Sequence, residues 1–254
     1  QPLGRWTTGE CGPAAVYHGE ALTAAEIQAH YDYLFSAQTP TLTGYVKEVV
    51  LDRPLWLYRL NDPDLTVGCD DFLRRDNPVR TRLLPGAGIA GAEALQPTIV
   101  TGGSGIVFDG SAALRGDYVT NGFHNPYKGS LEFVFRFDGA ASATQTMWRA
   151  EERSGTFVAD ARRLVDDRLQ VRLNEGGTAV EYNFATVFAT GQWEWAAVTI
   201  DKVAGEVILW LDDGNGTPVA AETLSTSAVQ LRNGSGDVGR KGYYDTELHI
   251  GGIV

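Results

Sequence analysis

Ser130-Leu131-Glu132-Phe133-Val134-Phe135-Arg136-Phe137-Asp138-Gly139 decides the fold class. The odd positions from 131 to 137 are all apolar, with Glu132, Val134 and Arg136 between them. That is the period of a strand with one face in a core. Asp138-Gly139 then supplies a turn, since both residue types accept the backbone angles of a tight reversal. The pattern repeats outward. Ile106-Val107-Phe108 ends at Asp109-Gly110, and further alternating runs occupy 168–173, 179–184, 193–200, 207–211 and 248–254. Short strands at this spacing predict an all-β chain folded as a two-sheet antiparallel sandwich.

The N-terminal part differs. Thr23, three residues before Glu26, forms a capping box, and Leu22 and Ile27 take the staple positions around it. Ile27, Tyr31 and Leu34 share one face of the helix this starts, and His30 is read as a packing residue beside them. A polar connector over 36–43 follows, then a second helix-compatible stretch and an alternating run over 54–60. From 61 to 105 the pattern dissolves into Asp, Pro, Gly and Arg, and a long loop region with one short helix or hairpin is expected.

Composition excludes some functions. The 254 residues are 43% hydrophobic and 21% charged with 30 glycines, as in a globular domain rich in turns. A formal net charge of −11 argues against nucleic acid, which needs clustered Lys and Arg to displace counterions. No apolar run reaches the length of a membrane span. Cys11 and Cys69 have no His or Cys at metal-ligand spacing, so zinc is not expected; free thiols are favoured, with a disulfide left open.

Trp193-Glu194-Trp195-Ala196-Ala197-Val198-Thr199-Ile200-Asp201, followed by Gly205-Glu206-Val207-Ile208-Leu209-Trp210-Leu211-Asp212-Asp213-Gly214, resembles the paired strands of concanavalin A-like jelly rolls of the laminin G-like group. Phe108-Asp109-Gly110 with Asp117-Tyr118-Val119 resembles the group's early strand pair, and Leu248-His249-Ile250-Gly251-Gly252 its late strand. Asp52-Arg53-Pro54 with Tyr58-Arg59-Leu60 is similar to the lead-in of such domains in actinobacterial and phage tail proteins. The resemblance covers about 45–254 and implies a jelly roll over 40–254, with Trp193 packed between the sheets. It also implies that the strand and helix of 1–39 are a closing element, which in the family follows the late strand. Two arrangements are open: 1–39 end a preceding tandem copy, the favoured one, or they complete this domain or a neighbouring subunit's as a permuted or swapped element.

No catalytic set is legible. Glycoside hydrolysis needs two facing carboxylates about 5–9.5 Å apart. The Glu-x-Asp-x-x-Glu strand of related glucanases is missing, and Glu132, Asp138, Glu151 and Glu152 are read as solvated charges. Gly234-Ser235-Gly236 lacks the outer residues and helix of a nucleophile elbow, and Gly102-Gly103-Ser104-Gly105 lacks the Lys of a phosphate loop. Trp195, Trp210 and Tyr182 are the candidates for stacking on a sugar ring, with core packing as the competing role. The resemblance implies rim calcium, for which Asp109, Asp212 and Asp213 are candidate ligands, although Asp beside Gly equally suits turns.

The expectation is a non-enzymatic phage virion protein, a minor tail or host-adsorption component located in the virion or extracellularly. Its expected partners are other virion or tail proteins, host cell-wall glycan and a second copy of itself. The alternatives are a secreted bacterial carbohydrate-binding module and a glycoside hydrolase.

Overall fold

The structure, a computed structural model, describes residues 5–6, 8–18, 21–36, 42–52, 54, 56–58, 69–70, 82–85, 93–97, 104–109, 114–116, 128–152, 157–175, 178–212, 217–226 and 246–250. In chain order β1 (Arg5–Trp6) and β2 (Thr8–His18) precede α1 (Ala24–Tyr31), a π-helical turn (Asp32–Ser36) and α2 (Leu42–Leu51). Six short strands follow: β3 (Trp56–Tyr58), β4 (Cys69–Asp70), β5 (Arg82–Pro85), β6 (Glu93–Pro97), β7 (Ser104–Asp109) and β8 (Leu114–Gly116). The longer ones are β9 (Lys128–Phe137), β10 (Gln145–Glu152), β11 (Phe157–Arg163), β12 (Arg168–Glu175), β13 (Thr178–Val187), β14 (Trp193–Asp201), β15 (Glu206–Asp212) and β16 (Pro218–Ser225). β17 (Thr246–Ile250) is the last.

Two sheets form the sandwich. One runs β13-β12-β11-β10-β17-β8-β5-β4 with β1 added parallel to β10, and the other runs β16-β15-β14-β9-β2-β7-β6 with β3 on β2. All pairings except that of β1 are antiparallel between the named strands, as the alternating runs predict. The segment expected to be loop over 61–105 contains three short strands, β4 to β6.

The core between the sheets takes alternate residues from both: Leu131, Phe133, Phe135 and Phe137 of β9 meet Ala159 and Ala161 of β11 and Leu169, Val171 and Leu173 of β12. Burying a side chain of this kind contributes about 1.5–3 kcal/mol, so this layer dominates the cohesion of the sandwich. A second core lies on the opposite face of the eight-stranded sheet. There Val134, Trp195, Ala197, Ala15 and Tyr17 pack beneath Ile27, Tyr31 and Leu34 of the N-terminal helical stretch and Tyr45, Val46 and Val49 of α2. β9 is therefore buried on both faces, a correction to the one-sided strand expected from its alternation.

The capping box is present. Thr23 accepts from the Glu26 amide at 3.3 Å while the Glu26 carboxylate accepts from the Thr23 amide at 2.6 Å. Both staple residues are buried, and the Leu22 amide donates to Ser130 Oγ at 2.8 Å, tying the helix entry to β9. β2 lies between β9 and β7, so 8–18 form an interior strand of this sandwich. The boundary expected at 39 lies outside the described residues. Gly105 of β7 permits the close approach to β2, because a Cβ there would stand 2.9 Å from the Cys11 carbonyl oxygen.

Candidate functional site

Two groups of polar side chains stand out, one enclosed and one on a surface. The enclosed group lies under the helices. His30 Nδ1 is 2.8 Å from Glu132 Oε2 and its Nε2 is 2.9 Å from Asp52 Oδ2. The Tyr45 hydroxyl and the Trp195 indole N–H both donate to Glu132 Oε1 at 2.9 Å. His30 and Glu132 are fully buried, so the expectation of Glu132 as a solvated charge is corrected: the helices cover it.

Burial alone would lower the His30 pKa, but the charges and hydrogen bonds of Glu132 and Asp52 outweigh it and hold the imidazole above its ordinary value. Burial likewise pushes Glu132 up, and His30, Trp195 and Tyr45 together bring it below the usual carboxylate range. Asp52 shares the imidazole but ends above its ordinary value. Burial and the negative charges of Glu26 and Glu132 raise it further than His30 lowers it. The imidazole, hydrogen-bonded to Glu132 on one side and Asp52 on the other, ties α1, the end of α2 and β9 together. Its closed position gives it a structural task.

The surface group lies on the outer face of the nine-stranded sheet. Ala159 and Ala161 of β11 point into the core, so Asp160 and Arg162 point outward; Gln170 and Arg172 of β12 do the same, as do Glu181 and Asn183 of β13. Register aligns them in rows. Arg149, Asp160, Arg172 and Glu181 stand side by side on four successive strands, and Arg162, Gln170 and Asn183 form the neighbouring row. The first row extends the other way through His249 to Arg115 in the ladder. Asp167, in the left-handed region at φ 62, shapes the turn from β11 to β12, and its Oδ1 accepts from Arg163 Nε at 2.8 Å.

The face is recessed. Asp160 has no exposed surface, Gln170 is 5% exposed, and the side chains of Arg172 and Arg162 are 13% and 20% exposed. Asp160 takes a bidentate contact from Arg172, with Nε at 2.8 Å and Nη2 on the second oxygen. Arg162 Nε stands 3.5 Å from the same carboxylate without hydrogen-bond geometry. Asp160, enclosed and forked by a guanidinium, acts here as a counter-ion. Burial lowers the Arg162 pKa; Asp160 opposes this, and the positive charges of Arg172 and Arg149 add to it.

Gln170 is incompletely bonded. Its Nε2 donates to Asn183 Oδ1 at 2.7 Å and to Glu181 Oε2 at 3.3 Å, while its buried Oε1 has no partner among the described residues. The Glu181 carboxylate accepts only, so the nitrogen must face it and the oxygen is left over. A buried acceptor without a donor costs about 1–3 kcal/mol, which is the signature of a place where a hydroxyl or a water belongs.

The residues singled out in the sequence lie elsewhere. Trp195 is 2% exposed beneath the helices, bonded to Glu132, and Tyr182 is 5% exposed in the inter-sheet core with its hydroxyl 2.6 Å from Thr226 Oγ1. Neither ring presents a face for stacking on a sugar. Trp210 is half-buried against the helix-side core, its N–H on Thr199 Oγ1 at 3.2 Å. Trp193 is also half-buried on that side, with the Arg136 guanidinium 5.6 Å from its ring centroid, and not between the sheets. Of the three calcium candidates, Asp212 ends β15 exposed and its charge helps burial to raise the Glu194 pKa. Asp109 ends β7, and its side chain, like the whole of Asp213, lies outside what the structure describes. Among the described residues no three His, Cys, Asp or Glu side chains gather as a metal site. Cys11 is a free thiol whose pKa burial pushes up to about 12.

No family model and no curated protein matches this chain. Several solved structures match part of it. They include a polysaccharide lyase of family 18, aly-SJ02 (10% identity, TM-score 0.35, covering 56% of this chain and 59% of that one). An alginate lyase from Alteromonas sp. 272 has 11% identity and a TM-score of 0.32, covering 55% and 58%. A sialidase has 8% identity and a TM-score of 0.24, covering 57% and 12%. The match therefore spans less than two thirds of each of these neighbours. At such values the likeness assigns no residue and no reaction to this chain. The expectation of a non-enzymatic phage virion component is corrected to this extent: the solved structures that match in part are named as polysaccharide lyases and a sialidase, and none of these three as a phage protein.

Proposed function

We propose that this chain is a carbohydrate-active β-sandwich that takes a polysaccharide along the outer face of its nine-stranded sheet. The observation that carries this reading is Gln170, almost fully buried with an unpartnered Oε1 among guanidinium, amide and carboxylate groups. A sugar hydroxyl donates to such an oxygen, and the guanidinium of Arg162 and the exposed amide of Asn183 suit further oxygens of a chain laid across the strands. Recognition here runs through hydrogen bonds.

Affinity electrophoresis through gels containing neutral and acidic polysaccharides tests the reading, with reducing-end release followed on the same panel to register cleavage. Retardation by at least one polysaccharide, lost in Gln170→Leu, is the expected result. Absence of retardation by all of them overturns the reading.

A further inference from the structure

We infer that Glu222 guards an open sheet edge: its carboxylate occupies outward amides of β13 and so keeps that strand from pairing with the same strand of a second copy of this chain. Among the described strands β13 ends the nine-stranded sheet, and β16 ends the eight-stranded one beside it. From β16, Glu222 reaches across the flank of the sandwich. Its Oε2 accepts from the Ala185 amide at 2.6 Å, and its Oε1 accepts from the Thr186 amide at 2.5 Å and from Thr186 Oγ1 at 2.6 Å. Amides of successive residues ordinarily point to opposite sides of a strand. Here both face Glu222, because the pairing shifts: Arg168 of β12 meets Val187 while Gln170 meets Asn183, and β13 bulges between those partners.

The edge needs a guard. β13 is ten residues long, and within Thr178–Val187 only Glu181 is charged and no Pro, Gly or Lys occurs. Val180, Tyr182, Phe184 and the two threonines favour extended backbone. A long strand of that composition at a sheet edge offers its unpaired amides and carbonyls to another chain, and the usual protections are Pro, Lys and shortness. β16 has one of these, Pro218 at its start. β13 has the bulge and the carboxylate. Burial raises the Glu222 pKa, but the Ala185 and Thr186 donors and the Arg168 charge outweigh it and bring it below its ordinary 4.5, so the group is ionised at neutral pH. An ionised acceptor holds amide donors more tightly than a neutral one, and an incoming strand would have to displace it. Antiparallel pairing of β13 with its copy about a two-fold axis is self-complementary, which makes a second copy the partner that the freed edge fits.

Sedimentation velocity of the intact chain over a concentration series at neutral pH tests this in the wild type, Glu222→Ala and Glu222→Gln, with near-ultraviolet circular dichroism as the check on folding. Glu222→Ala is expected to self-associate with a Kd on the order of tenfold or more below that of the wild type. Adding Ala179→Lys, which places a charge on the exposed side of β13, should abolish the gain. Glu222→Gln keeps the shape and one acceptor and should move in the same direction by less. Unchanged association of folded Glu222→Ala overturns the inference. So does a gain that Ala179→Lys leaves in place, because the contact then lies on another surface. If Glu222→Ala loses its tertiary spectrum, Glu222→Gln decides, and the absence of any gain there overturns the inference.

Discussion

His30 of α1 and Glu132 of β9, separated by 102 positions in the chain, meet at 2.8 Å in a volume closed to solvent. The contact fastens the helical layer to the sheet, and Asp52 completes it on the far side of the imidazole.

His30→Ala should destabilise the protein by about 3–5 kcal/mol, because it leaves a buried carboxylate whose remaining partners, Tyr45 and Trp195, are both neutral. Urea titration followed by tryptophan fluorescence measures this. A loss below about 1 kcal/mol would show that Glu132 is protonated or hydrated in the native state.

The same cluster shapes stability against pH. His30, held above its ordinary value of 6.5, contributes fully below that value, and its contribution fades as pH rises through the raised folded value. Glu132, held below its ordinary 4.5, contributes above that value and loses its effect as pH falls through the lowered one. Asp52, held above its ordinary 3.8, weakly opposes the acid-side fall. Denaturation midpoints should therefore peak between 4.5 and 6.5 and decline on both sides. The alkaline decline should be absent from His30→Gln; its persistence there would assign it to another group.

Trp195→Phe removes one donor to Glu132 while keeping an aromatic ring in the helix-side core. The expected cost is about 1–3 kcal/mol, with polysaccharide affinity unchanged. A selective loss of affinity in a stably folded variant would return Trp195 to the ligand.

Thr23→Ala breaks the capping box at the start of α1 and should cost about 1 kcal/mol. Glu26→Gln keeps an acceptor for the Thr23 amide and should cost less. Hydrogen exchange of the amides in the first turn of α1 distinguishes the two.

The legible and illegible parts of the sequence divide by what lies behind each strand. β9, β12, β13, β14 and β15 were readable because large apolar residues alternate in them. β11 was not: its core residues are Ala159 and Ala161, small enough to be lost among Asp160, Arg162 and Arg163. β10 hides its core pair, Met147 and Trp148, at a register shift. The candidate face rests on these two strands and β12, so Arg172 had a strand to sit on in the sequence while Arg149 and Arg162 had none. Glu132 carried one usable signal, since Val134 beside it and the apolar residues opposite indicate a strand covered on both faces. The covering layer, more than 80 residues upstream at Tyr45 and beyond, gave no local trace of its position.

β2 pairs with β9 through register partners such as Ala14 and Phe133, and on its other side with β7. An interior strand drawn from so far along the chain makes assembly a matter of waiting. Until both neighbours exist and find it, each presents an unsatisfied edge, and closing so long a loop is slow in proportion to its entropy. Pairing at such sequence separation forms late and slowly, and until residues 8–18 fill their slot its open edges are where a partly folded copy can take the wrong strand.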